Sequence, residues 1–175
     1  NGGPAGDLYV EIHIKPHMQI PLNWTRYVAV DPGHTVCAAL FAAVPPPTEG
    51  IGDIYLYDEL YLRNSNAAMF GKEMKKKHQG QNFYAFVIDN QEGRKDYMGC
   101  GRTTAEQYGD ALQVNLVRSQ TTGYSFAEGD PNVQAGISGI KSYLRILDYE
   151  ECHMKVSERC TNLIWEMKHY RNQRV

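Results

Sequence analysis

A chain of 175 residues, 42% hydrophobic and 22% charged, has the size and composition of one globular domain that buries a core without disulfide staples. Its formal net charge of −2 excludes a globally basic nucleic-acid binder, so any phosphate-contacting surface must be local. No apolar run approaches the ~18 residues of a membrane-spanning helix. Cys37, Cys100, Cys152 and Cys160 are scattered without a tight framework, as in a reduced intracellular protein. No secretory leader is visible at Asn1, and with no initiating methionine the chain is expected to be a fragment.

In chain order, Leu8, Val10, Ile12 and Ile14 alternate with polar residues and predict a half-buried strand. "RYVAVDPG" is a short apolar strand that ends at Asp31, where Pro32 and Gly33 turn the chain. "TVCAALFAAV" and "IYLYDELYL" are two further strands. The prolines of "PPPTEGIGD" between them belong in a hairpin tip rather than a ladder. These three runs predict an antiparallel meander. "NSNAAMFGKEMKKKHQG" predicts a helix capped by Asn64 or Ser65, with Ala67, Phe70 and Met74 on one face and Gly80 as its stop. "NFYAFVIDN" is a buried strand that again ends in an aspartate, Asp89, and leads into a glycine-rich loop, "QEGRKDYMGCGR". A threonine-capped helix over "TTAEQYGDAL" comes next, then a strand over "VNLVRS" and a long polar loop, "QTTGYSFAEGDPN". A helix striped by Ile137, Ile140, Leu144 and Leu147 is next in order, and a last helix covers "CTNLIWEMKHYRNQ". Three strands, then helix, strand, helix, strand and helices is the ribonuclease H-like order, an α/β fold with a mixed central sheet flanked by helices.

Two carboxylates delivered by buried strands to the point where the backbone turns are the chemical signal. Side by side and without a counter-ion they would repel, and one would keep its proton. Hard oxygen ligands on a rigid scaffold suit Mg²⁺ or Mn²⁺, and two such ions clamp the attacking and leaving oxygens of a phosphodiester. In this reading Asp31 and Asp89 are catalytic metal ligands, and Gly33 leaves room for metal and phosphate to approach. Arg94 and Lys95, just after Asp89, are candidates to touch the scissile backbone. Lys75 and Lys76, in the basic run Lys72–His78, are weaker DNA-contact candidates, a solvated helix face being the plainer alternative.

"IPLNWTRYVAVDPGHT", "IYLYDELYLRN" before a helix, "FVIDNQEGRKDYMGCGRTTAEQYGDAL" and "CTNLIWEMKHYR" together resemble the nuclease domain of a tailed-phage large terminase, over about residues 18–175. The spacings W-x-x-Y-x-x-x-D-P-G and ID…G-x-G…Q-Y carry the resemblance. It implies a ribonuclease H-like endonuclease that cuts concatemeric double-stranded viral DNA with Mg²⁺ or Mn²⁺ at a two-metal site. Its first two metal-binding acids would fall on Asp31 and Asp89. The implied partners are DNA, an ATPase motor domain in the full protein, a small terminase subunit and a portal, with no membrane, in the host-cell cytoplasm during phage assembly. One departure stands out. The family takes a third acid from a later "DH…DALRY"-like segment. The chain reaches Val175 first, and Asp148, Glu150, Glu151 and Glu166 lack that context, so the domain is expected to be truncated. No G-x-x-x-x-G-K-[ST] motor motif occurs. Gly2–His17 resembles a strand of the C-terminal substrate-binding region of DnaJ-type co-chaperones and is expected to form an N-terminal extension strand, residues 1–17.

Smaller signals have plainer readings. His34 is placed to orient water or phosphate but reads first as a loop histidine. Glu59 is an auxiliary-ligand candidate that reads first as a surface strand residue. Cys152, His153, Cys160 and His169 are spaced C-H-x₆-C-x₈-H, which fits no tight zinc knuckle. His13 and His17 alternate without a third partner. Trp24 and Trp165 are expected in the core. Three other functions stay open: a non-catalytic ribonuclease H-like DNA-binding module, a Holliday-junction-type resolvase, and half of a sugar-kinase or actin-like ATPase. The ATPase needs phosphate-loop glycines that "DPGHTVC" does not supply.

Overall fold

The computed structural model describes residues 10–33, 35–78, 80–96, 99–112, 126–128, 130, 132–147 and 151–169. The elements are α1 (Val10–His13), β1 (Ile14–Lys15), β2 (Thr25–Asp31), β3 (Val36–Val44), β4 (Ile54–Arg63), α2 (Ala67–His78), β5 (Ala85–Ile88), α3 (Asn90–Gly93), α4 (Thr104–Leu112), β6 (Phe126–Glu128), α5 (Val133–Tyr143), β7 (Met154–Ser157) and α6 (Thr161–His169). The strand order is β1-β7-β4-β3-β2-β5-β6, so β4, β3 and β2 are neighbours, as a meander requires, and β5 lies beside β2. The chain divides into two compact units. One comprises Arg26–Phe41 and Leu60–Pro131, and the other Asn1–Thr25, Ala42–Glu59 and Asn132–Val175.

The first unit contains both aspartates of interest. Along β2, Val28 and Val30 are buried while Ala29 and Asp31 are exposed, the period-two pattern of a strand with one face on the core. Phe86 and Ile88 of β5 are buried on the same face. Helices α2 and α4 supply Phe70, Met74, Tyr108 and Leu112 to this core. Phe41 of β3 meets His78 of α2 at a ring separation of 4.0 Å, and Phe83 meets Phe86 edge to face at 5.3 Å. The two helices cross so closely that a Cβ at Gly71 would collide with the carbonyl of Ala111, which explains a glycine inside a helix. Asn66, rather than Asn64 or Ser65, caps α2, accepting the Met69 N–H at 2.9 Å. Gly80, at φ 80°, stands just past the helix where a side chain would be strained. At α4, Thr103 Oγ1 accepts the Glu106 N–H and Glu106 Oε2 accepts the Thr103 N–H, a reciprocal capping box. The polar segment expected to be loop contains a strand, since Phe126–Glu128 pairs in parallel with β5. Three residues among polar neighbours are too few to show a period. The strand expected over 114–119 lies outside the described residues.

In the second unit the expected alternating strand over 8–14 is corrected. Among the described residues of this segment Val10–His13 is a helical turn, and Ile14–Lys15 is strand, paired in parallel with β7. The His13 ring is fully buried and its Nε2 lies 2.9 Å from the Leu144 carbonyl. Tyr55 donates its hydroxyl to the Pro16 carbonyl at 3.2 Å. The His13 bond is a tertiary contact within the helical turn, and such context overrides strand propensity. β7 also pairs in parallel with β4. Two further expectations fail here. The α5 stripe is not a core face, since Leu144 is buried but Ile140 and Leu147 are exposed. Trp165 is 61% exposed and stacks on His169 instead of entering the core, and Trp24 is half-buried with its indole N–H donated to Glu49.

Candidate active site

Asp31 and Asp89 are brought together by strand register. β2 and β5 run parallel, with Ala29 opposite Val87 and Val30 opposite Ile88. The next step along each strand is an aspartate, and the Asp89 N–H donates to the Val30 carbonyl at 3.3 Å, which extends the pairing to that point. Residues opposite one another in a parallel pair project to the same face from strands ~4.8 Å apart. Both aspartates are exposed, while the preceding Val30 and Ile88 are buried on the opposite face. The two carboxylates therefore leave the carboxyl ends of adjacent parallel strands on the open face.

The turns after each strand are built to hold them there. Pro32 is buried and fixes the chain just beyond Asp31. A Cβ at Gly33 would run into the Val36 carbonyl, so the glycine lets the chain fold back on itself, and that Cβ would also stand 3.9 Å from Asp31 Oδ1. After Asp89 its own carbonyl accepts the Gly93 N–H at 2.8 Å, closing α3. Gly93 sits against Ile88, where a Cβ would approach within 3.1 Å. Close to Asp31 lies Cys37, whose thiol is pushed up to about 11, first by burial, against a hydrogen bond to Tyr108, with the Asp31 charge adding to the rise.

Arg94 and Lys95 are both exposed on the loop that leaves α3. That loop is braced: the Lys95 carbonyl accepts the Thr104 N–H at 2.9 Å, Asp96 bridges to Thr103, and Asp96 Oδ1 accepts the Gly101 N–H at 2.9 Å. Lys75 and Lys76 are not gathered with the aspartates. They belong to α2, which packs on the buried face of these strands. Lys76 is 3.8 Å from Glu73, one turn earlier, and Lys75 lines a groove of about 470 Å³ between α2 and α4 with Lys72, Gln107 and Asp110. His34, Asp148 and Glu150 lie outside the described residues.

Glu59 is neither a surface residue nor a ligand candidate. It is 8% exposed, and its carboxylate closes the N-terminus of α6. Oε1 accepts the Asn162 N–H and side-chain amide, each at 2.8 Å, and the Thr161 hydroxyl at 3.4 Å, while Oε2 accepts the Leu163 N–H at 2.9 Å. The sequence carries no local signal of this partnership, because 102–104 residues separate the partners. Cys152 and Cys160 are buried, with their thiols on the carbonyls of Met154 and Leu56, and His153 contacts Asp53 at 2.9 Å. Among the described residues no three His, Cys, Asp or Glu side chains gather as a metal-binding group.

No protein-family model matches the sequence, and no curated protein sequence matches it closely. Solved structures do match. The large terminase of a thermophilic bacteriophage superposes with a TM-score of 0.67 at 13% identity over 95% of this chain, which spans 37% of the length of that terminase. The nuclease domain of the P22 large terminase superposes with a TM-score of 0.66 at 16% identity, covering 98% of this chain and 81% of that one. The nuclease domain of the bacteriophage SPP1 large terminase, solved with bound Mn, gives 0.53 at 14% identity, covering 90% of this chain and 77% of that one. The fold is thus the ribonuclease H-like fold of large terminase nuclease domains, the one implied by the strand order and motifs.

Proposed function

We propose that the chain is a metal-dependent endonuclease domain that hydrolyses phosphodiester bonds of double-stranded DNA during viral genome packaging. The observation that carries this reading is the register that sets Asp31 beside Asp89 on the open face at the ends of two parallel strands. Two carboxylates so placed suit a hard divalent cation, Mg²⁺ or Mn²⁺: the donors are oxygens, they are fixed by strands, and a cation relieves their mutual repulsion. Two such cations would act as Lewis acids on the attacking and leaving oxygens of the phosphodiester. The protein's own share is positional. Asp31 and Asp89 hold their carboxylates on one face of the sheet, the Pro32–Gly33 turn fixes the first, and α3 fixes the second. Arg94 and Lys95 contact the phosphates flanking the scissile bond, and Lys75 and Lys76 would reach only DNA passing the α2 side.

In this role the chain would be the nuclease part of a large terminase, working beside an ATPase motor domain, a small terminase subunit and a portal in the host cytoplasm. That same two-carboxylate set favours a second reading, a non-catalytic DNA-binding module of this fold. Plasmid digestion in millimolar Mn²⁺ separates the two. Chelator-sensitive nicking or linearisation supports the nuclease, and binding without cutting at any Mn²⁺ concentration supports the module.

A further inference from the structure

The face of β2 that presents Asp31 also presents Ala29 and Tyr27, at two and four residues back along the strand. On β5 the partners of these residues are Ala85, opposite Tyr27, and Val87, opposite Ala29. Every position between the aspartates and Tyr27 on this face is therefore small or branched and short, which keeps the surface low. Tyr27 rises at the far end and meets Tyr84 edge to face, with ring centroids 5.5 Å apart. Tyr84 is 60% exposed, and its backbone N–H is anchored to the Arg26 carbonyl at 2.8 Å. The result is a shallow floor bounded by a carboxylate pair at one end and a tyrosine pair at the other, about 13 Å apart at ~3.3 Å per strand residue.

We infer that the Tyr27–Tyr84 pair holds the sugar–phosphate backbone of a DNA duplex about four base pairs from the phosphate presented to Asp31 and Asp89, an inference that rests on the nuclease reading for the position of that phosphate. At ~3.4 Å of rise per base pair, a floor of about 13 Å matches about four steps of a duplex lying along it. Tyrosine suits the contact: its hydroxyl donates to a phosphate oxygen and its ring packs on deoxyribose, neither of which reads sequence. The tyrosine pair adds no positive charge, consistent with a chain whose net charge is −2 and whose basic residues just after Asp89 are Arg94 and Lys95. Continuity of the floor with the aspartates selects duplex DNA as its occupant.

The test uses duplexes shortened one base pair at a time on either side of a preferred cutting position. Wild-type cleavage efficiency should fall once one flank drops below about four base pairs. Tyr84→Ala should raise KM on long duplexes more than tenfold, about tenfold from the lost hydrogen bond to a charged group and the rest from lost ring packing, leave kcat near wild type, and abolish the flank dependence. Tyr84→Phe should lose the hydroxyl contribution and fall between. Because Tyr84 is largely exposed, the variant should keep the wild-type melting temperature. Anisotropy of a labelled duplex reads the same contact without cutting. If the wild type binds but never cuts, the nuclease reading fails, and a length-dependent loss of affinity in Tyr84→Ala still upholds the tyrosine contact. Equal Kd values for wild type and Tyr84→Ala at every duplex length overturn it, whatever the cutting result. A concentration-dependent dimer that Tyr84→Ala dissolves also overturns it, giving the face to a second copy of the chain.

Discussion

Strand-borne carboxylates in the two units meet opposite fates. Glu59, near the middle of β4, is buried and surrounded by donors from the first turn of α6, so its charge is consumed by the fold. Asp31 and Asp89 stand exposed at the ends of β2 and β5, with their strands in register, so their charges face outward together. The difference lies in the structure that meets each carboxylate. Glu59 is met by a helix N-terminus, whose unsatisfied N–H groups and dipole favour an anion. Asp31 leads into the Pro32–Gly33 turn, and Asp89 into the single turn of α3. A carboxylate spent on structure costs stability when removed. Removing one member of a like-charged pair gives back part of their mutual repulsion.

Glu59→Ala should have the largest effect. It strands several N–H donors at the half-buried start of α6 and should lower stability by about 2 kcal/mol, read as a melting-temperature drop of about 6 °C. Glu59→Gln, which keeps one acceptor, should lose about half as much. A loss below about 0.5 kcal/mol in Glu59→Ala would break the contrast. In the metal-free protein, Asp31→Asn and Asp89→Asn should leave urea midpoints level or slightly raised, because removing one charge of a like-charged pair relieves repulsion. A third carboxylate sharpens the comparison on the exposed side. The Glu106 carboxyl is held below its ordinary range, first by the Thr103 N–H and then by the Thr103 hydroxyl. A depressed folded-state value means its stabilisation is present above the unfolded value of ~4.3 and is lost as pH falls through the folded one. Glu106→Gln should therefore differ from wild type in urea midpoint at neutral pH and converge with it in acid. A gap that stays constant with pH would remove the charge from that cap. Smallest of all, Arg94→Ala with Lys95→Ala should weaken duplex binding equally for all sequences and flatten its salt dependence by about two charges. Anisotropy across a salt series checks this.

How far the sequence speaks depends on the range of the interaction. β2 and β5 are legible because each is an apolar run ending in one aspartate, and their adjacency comes from element order. α4 is legible from its local threonine cap, and α2 from its apolar face, although its cap proves to be Asn66. The features that escape are set by partners far along the chain. The clasp of Glu59 on α6 and the seat of His13 under Leu144 span more than 100 residues. Alternation at Leu8–Ile14 points to a strand where a helical turn forms. Gly33 reads as clearance for a ligand, and the structure adds a second constraint, the carbonyl of Val36 three residues on, visible only once the turn is built. Trp165 illustrates the converse error, since a large aromatic on a helix need not face inward.

The most direct test compares wild type with Asp31→Asn across a Mn²⁺ titration, reading plasmid cleavage and melting temperature on the same samples. Asparagine keeps the shape and one carbonyl oxygen but loses the charge that binds a cation. The account predicts that wild type cuts in millimolar Mn²⁺ and is stabilised as Mn²⁺ rises, by linkage to binding. Asp31→Asn should melt like the metal-free wild type throughout and leave the plasmid intact. Equal Mn²⁺-dependent cleavage and equal Mn²⁺ stabilisation in the two proteins would contradict the assignment of Asp31 and the metal-dependent reading of this face.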